Sequence, residues 1–123
     1  MKKPTDKRKL AEQKGRWAEN WVAMLMLARG YRVLARRFRS PSGEIDLIVR
    51  RGDDYWFIEV KYRKKASDDQ LDQILPSPTA QRRIKNTAAY FLASISDQKN
   101  INIYLDCVIV TGAGKVKWFE HYF

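Results

Sequence analysis

The sequence predicts a single α/β domain in which a mixed β-sheet is flanked by α-helices, in the order α-β-β-β-α-β-β. Three observations lead there. Two stretches carry helical periodicity, five short segments carry strand signals, and one pair of strands is joined by a tight Gly-Asp turn. A chain of 123 residues favours one compact unit, and a hydrophobic content of 45% supplies material for a core.

Residues 1–9 hold Lys2, Lys3, Lys7, Arg8 and Lys9 against Asp6 alone, and are expected as a basic flexible tail before a domain spanning 10–123. From Leu10 to Arg29 the pattern is helical, with Leu10, Trp17, Trp21, Met24 and Ala28 on one stripe and Gly30 as the C-cap. The second half is apolar almost all round, which predicts cover on more than one side. Tyr31–Phe38 reads as a basic strand, Ser40-Pro41-Ser42-Gly43 as a turn, and Glu44–Arg50 and Tyr55–Arg63 as strands of one hairpin. The polar stretch 64–75 reads as a loop with about one helical turn. Ser77-Pro78 supplies an N-cap and first helical position for a helix running to Ile95, its inner face Ile84, Ala88, Phe91 and Ile95. Ile103–Val110 and Lys115–Phe119 are the last two strands.

The net charge of +10 favours a polyanionic partner: DNA, RNA or an anionic membrane surface. A basic surface that only confers solubility is the plain alternative. No apolar run of about 18 residues is present to span a membrane, and no apolar signal core directly follows the charged N-terminus. Cys107 is the only cysteine, so no internal disulfide forms, and a buried thiol in a reducing, cytoplasmic setting is the default expectation.

The hairpin carries the chemistry. A turn at Gly52-Asp53 sets Arg51 opposite Asp54, which places Asp46 opposite Glu59 and Glu44 opposite Lys61. Two ionised carboxylates so placed repel each other. A shared proton, a water-facing position or a bound cation each relieves the repulsion. Ile48 and Phe57 are expected on the same face as the acids, and Ile45, Leu47, Val49, Ile58, Val60 and Tyr62 on the other. Both faces are largely apolar, so the charges need a partner, and a hard divalent cation such as magnesium is the economical one. Lys61, two residues beyond Glu59, can orient a water that attacks a phosphate, and Glu44 can join the ligand shell. The competing reading is a plain ion-pair ladder of Glu44 with Lys61 and Asp46 with Arg63.

The residues Gly43-Glu44-Ile45-Asp46-Leu47-Ile48 and Phe57-Ile58-Glu59-Val60-Lys61-Tyr62-Arg63 resemble the YraN-type family of small bacterial proteins. That family is similar to the restriction-endonuclease-like superfamily, whose site is a D…(D/E)-x-K arrangement. The resemblance covers about residues 13–123, including Gly15-Arg16-Trp17-Ala18-Glu19, Gln81-Arg82-Arg83-Ile84 and Leu105-Asp106-Cys107-Val108. It implies a restriction-endonuclease-like fold and a magnesium- or manganese-dependent endonuclease acting on DNA, branched or single-stranded. Asp46, Glu59 and Glu19 would be the metal ligands, Glu19 as the helix-borne acid, with Lys61 and Glu44 completing the catalytic set. Two departures remove positive charge: Ala80 stands where a lysine is common before Gln81, and Tyr104 where an arginine is common before Asp106.

Three basic clusters are candidate nucleic-acid contacts: Arg36, Arg37 and Arg39; Arg63, Lys64 and Lys65; and Gln81, Arg82, Arg83 and Lys85. DNA is favoured over RNA, and recognition of backbone or shape over base readout. No membrane partner is expected, and a homodimer is one arrangement for cutting two strands. Trp17, Trp21, Trp56 and Trp118 read as core or edge packing rather than base-stacking platforms. The rival functional class is a non-catalytic nucleic-acid-binding or assembly module that keeps the nuclease fold.

Overall fold

A computed structural model of the chain describes residues 4–64, 75–95 and 100–120. Helix α1 (Pro4–Ala28) leads into strands β1 (Arg32–Ser40), β2 (Gly43–Arg51) and β3 (Asp54–Arg63), followed by helix α2 (Pro78–Ala93) and strands β4 (Asn102–Thr111) and β5 (Val116–Phe119). The five strands form one sheet in the order β1-β2-β3-β4-β5. Neighbours are antiparallel except β3 and β4, which run parallel and are connected through α2. The order α-β-β-β-α-β-β and the mixed sheet with a helix on each face are as the sequence predicts.

Adjacent residues along β2 and β3 serve opposite faces. Leu47, Val49, Ile58 and Val60 join Val108 and Val110 of β4 against Ala18, Val22, Ala23 and Met26 of α1. Ile48 and Phe57 join Ile45 and Tyr55 against Ile84, Ala88 and Phe91 of α2. The central strands are therefore covered on both sides.

Helix α1 departs from its expected form twice. It starts at Pro4 rather than Leu10, so residues 4–9 of the expected tail are helical. Proline is tolerated in a first turn, and the Lys, Arg, Ala, Glu and Gln that follow are good helix formers. Its inner face is Ala18, Val22, Ala23 and Met26, not the Trp17, Trp21, Met24 and Ala28 stripe. Met24 is 61% exposed and Leu27 55%, so the apolar second half is covered on one side only. Small residues let the helix approach the sheet, where tryptophan would hold it off. Gly30 terminates the helix as expected, at φ 86°, while the Tyr31 N–H donates to the Met26 carbonyl at 3.0 Å.

Ser77 caps α2, its hydroxyl accepting from the Ala80 N–H at 3.2 Å, with Pro78 as the first helical residue. Ile84, Ala88 and Phe91 are buried as expected, together with Thr87. The helix closes at Ala93, and Ile95 packs against the same cluster from beyond its end. Of the expected loop at 64–75, residues 65–74 lie outside the described residues, Lys65 among them.

Candidate active site

The β2–β3 hairpin turns at Gly52, φ 61°, and pairs Arg51 with Asp54 as expected. The ladder then runs to Leu47 opposite Ile58 and stops. Asp46 does not continue it as a cross-strand partner of Glu59. Instead its Oδ2 accepts from the Val60 N–H at 2.8 Å, so the side chain occupies the place of a backbone acceptor.

The alternation of β2 breaks at this residue. Ile45 packs in the α2-side cluster with Ile48, not with Leu47 and Val49 as its parity requires. The cause lies across the strand pair. Arg36 sits opposite Leu47 and Phe38 opposite Ile45, and between them Arg37 adopts φ 53°, a left-handed conformation rare for a side chain that is not glycine. That twist turns Phe38 and Ile45 towards α2 and sends the Arg37 side chain to α1.

Glu59, one strand further in, has a side chain only 15% exposed. Burial pushes its carboxyl up to about 9, helped by a hydrogen bond to Asp46 and by that residue's charge, while Lys61 pulls the other way. Lys61 Nζ lies 3.7 Å from Glu59 Oε1. Asp46, Glu59 and Lys61 are thus brought together, as the sequence leads one to expect. The competing ladder of Glu44 with Lys61 and Asp46 with Arg63 does not form.

Glu44 instead pairs with Arg39 at 3.3 Å and lines the wall of the cleft. Glu19 stands on α1, its side chain 12% exposed, with Oε2 accepting from Arg37 Nε at 2.9 Å. Its pKa is raised: burial is the main cause, the Arg37 hydrogen bond opposes it, and the charge of Asp46 adds to it. Glu19 is therefore close enough to Asp46 to feel its charge, but Arg37 holds it. Among the described residues no group of three or more His, Cys, Asp or Glu side chains converges as a ready-made metal cluster.

A cleft of about 910 Å³ opens over Glu59 and Lys61, walled by Gly43, Glu44, Arg63, the Pro76–Gln81 segment, Arg83 and Ile84. Its far wall is docked by the β1–β2 turn. Ser40 Oγ and Thr87 Oγ1 lie 2.9 Å apart, and Thr87 also donates to the Arg83 carbonyl at 2.8 Å. Gly43 turns at φ 156°, a backbone that side chains rarely adopt, and this rather than space favours glycine there, since an added Cβ would stand 3.4 Å from Thr87 Oγ1.

The basic clusters separate on this frame. Arg63, Gln81 and Arg83 line the cleft, although the Gln81 amide donates to the Pro76 carbonyl at 3.0 Å. Arg82, Lys85 and Lys64 are exposed and do not line it. Arg36 and Arg37 are drawn to Asn20 and Glu19 of α1, a side pairing invisible in their basic strand context. Beside Glu59, Cys107 of β4 is buried, and burial, then the nearby Glu59, push its thiol up to about 12. Asp106, buried next to it, accepts from Trp118 Nε1 at 2.7 Å. That buried acid carries no local motif that singles it out; its place in an apolar strand run is the only available signal.

Comparison with known proteins places this α/β scaffold in a family. The model of the uncharacterised protein family UPF0102 matches residues 18–110. A UPF0102 protein of Maricaulis maris is 41% identical over 118 residues, which covers 95% of this chain and 87% of the relative. A Brucella canis UPF0102 protein is 36% identical over 116 residues, covering 94% and 87%, and one from Bradyrhizobium sp. is 37% identical over 109 residues, covering 89% and 75%. The chain belongs to the UPF0102 family.

Proposed function

We propose that the protein is a metal-dependent phosphodiesterase of restriction-endonuclease-like type that acts on nucleic acid, DNA before RNA. The observation that supports it most is the meeting of Asp46 with Glu59 beside Lys61, the latter two on the floor of a cleft that Arg63 and Arg83 also line. A carboxyl raised to about 9, first by burial and then by the hydrogen bond and charge of Asp46, is the kind of perturbed group that marks a candidate functional site. The oxygen donors are hard and suit magnesium or manganese, with Asp46 and Glu59 the residues that would hold the ion. Such an ion, when bound, stabilises charge developing on the scissile phosphate.

The chain's own side chains have separable tasks. The Val60 N–H fixes the Asp46 carboxylate. Lys61 balances phosphate charge and orients the attacking water. Arg63 and Arg83 on the cleft walls neutralise flanking phosphates. Glu19 can support the shell only after exchanging its Arg37 contact, and Glu44 after exchanging Arg39.

A second reading has one observation in its favour. Glu19 is neutralised by Arg37 and no three-acid cluster converges among the described residues, as suits a non-catalytic nucleic-acid-binding module. Labelled duplex, single-stranded and four-way DNA, with RNA alongside, incubated with magnesium or manganese, separates the two. Cleavage lost in Lys61→Ala and Asp46→Asn, with binding retained, is the expected result. Tight binding without cleavage of any form selects the module.

A further inference from the structure

The central cleft does not end at Lys61 and Arg63. The same two residues also line a second groove of about 400 Å³, whose other wall is the first half of α1, with Lys7, Lys14 and Gly15. Lys7 and Lys14 are two helical turns apart on one face, about 10 Å along the axis. They can share this groove only because α1 begins at Pro4, so the basic segment is ordered as helix. Lys7, Lys14, Lys61 and Arg63 put four cationic residues on its lining, and among the described residues no carboxylate lines it. A Cβ added to Gly15 would meet nothing within 4 Å, which leaves the backbone open to close approach there.

The groove continues past Lys14 and Tyr62 into a shallow depression that reaches Trp17, again without an acid in its lining among the described residues. Trp17 is stacked on Trp21 with ring centroids 6.3 Å apart, and Tyr62 meets it edge-on at 6.1 Å. It nevertheless keeps 42% of its surface exposed. An indole braced by two aromatic neighbours and left open beside a cationic channel is a stacking platform for a base whose face is free. In a duplex those faces are already stacked, so only an unpaired base can use it.

We infer that the nucleic acid leaves the central cleft as a single strand. Its phosphates follow Arg63, Lys14 and Lys7, and an unpaired base lies on Trp17. This rests on the reading that the cleft takes nucleic acid, and it assigns the substrate class: a strand that is single on the α1 side of the site. It also assigns Trp17 a role that its place in an apolar stripe does not suggest, and joins Lys14 to Lys7 of the basic segment as phosphate contacts.

Fluorescence anisotropy tests it with the full chain, in chelator so that no cleavage intervenes, using a labelled oligothymidine strand and a blunt duplex of equal length. Lys7→Ala/Lys14→Ala is expected to flatten the plot of log affinity against log salt for the single strand by about 1.4, about 0.7 for each phosphate that is no longer neutralised. Trp17→Ala is expected to weaken single-strand binding about 5- to 150-fold while duplex binding holds, and Trp17→Phe to restore most of that affinity. An unchanged salt slope, or a Trp17→Ala effect of equal size on duplex and single strand, overturns the inference. A thermal melt of Trp17→Phe and of the lysine variant guards against misfolding. Because the assay excludes metal, a protein that cleaves nothing can still show this track, and a nuclease whose affinity ignores these substitutions keeps its activity and loses the track.

Discussion

Arg37 donates from Nε to Oε2 of Glu19 at 2.9 Å, and does so from a backbone at φ 53°. A left-handed residue other than glycine costs on the order of 1–3 kcal/mol, and the half-exposed ion pair returns only about 0.5–1 kcal/mol. Glycine at 37 loses the pair but relieves the strain; alanine loses the pair and keeps it. Arg37→Ala is therefore expected to be less stable than Arg37→Gly by about 1 kcal/mol in denaturant unfolding, the reverse of the usual ranking inside a strand. Equal stabilities, or a more stable alanine variant, would show that the backbone at 37 carries no strain.

Asp46 has two separable tasks. Its Oδ2 satisfies the Val60 N–H at 2.8 Å, and its charge raises Glu59. Asparagine can keep the first through its carbonyl oxygen but not the second, whereas alanine keeps neither. Asp46→Ala is expected to lose about 1–3 kcal/mol by chemical denaturation, while Asp46→Asn stays within about 1 kcal/mol of the parent. Both are expected to lose cleavage. Equal destabilisation by the two substitutions would mean that the Val60 hydrogen bond contributes little.

Glu59 titrates near its ordinary 4.5 in an unfolded chain and near 9 in the folded one. Between those values the folded state holds a proton that the unfolded state has released. Its contribution to stability is therefore fully present below about 4.5, falls as pH rises, and is lost above about 9, with a slope of at most about 1.4 kcal/mol per pH unit. Glu59→Gln removes the proton and is expected to flatten that fall in melts taken across the range. A cation held by Asp46 and Glu59 must displace the same proton, so magnesium is expected to raise the melting temperature more in alkaline than in mildly acidic buffer. A magnesium effect independent of pH, or undiminished in Glu59→Gln, would place the ion elsewhere.

Much of this arrangement is legible along the chain, for local reasons. Gly52-Asp53 sets the hairpin register, and Ser77-Pro78 sets the start of α2, because turn and cap chemistry act on neighbouring residues. What is not legible depends on contacts between distant segments. The parity rule that puts Ile45 with Leu47 fails because Arg37, on another strand, takes a positive φ that nothing in Arg36-Arg37 announces. Arg36 and Arg37 look like phosphate ligands until α1 brings Asn20 and Glu19 to them. Hydrophobicity alone ranks Trp17 and Met24 above Ala18 and Ala23 as core residues, but close helix–sheet approach rewards the small ones.

Cys107 offers a probe of the strands that carry the site. It lies beside Glu59 in the parallel register of β3 and β4 and is fully buried. Burial first, and then the Glu59 charge, push its thiol from 9.0 up to about 12, which leaves about a thousandfold less thiolate than an ordinary cysteine at neutral pH. Since the thiolate is the nucleophile, the native protein is expected to resist alkylation, even before its lack of solvent access is counted. Labelling then requires β3 and β4 to separate, and their full-length pairing at the centre of the sheet ties that event to global unfolding. The free energy of opening from labelling rates in graded denaturant is expected to match that from circular dichroism. Stoichiometric labelling of the native protein within minutes would show that the central strands open on their own and that the Glu59 surroundings are wetter than the packing allows.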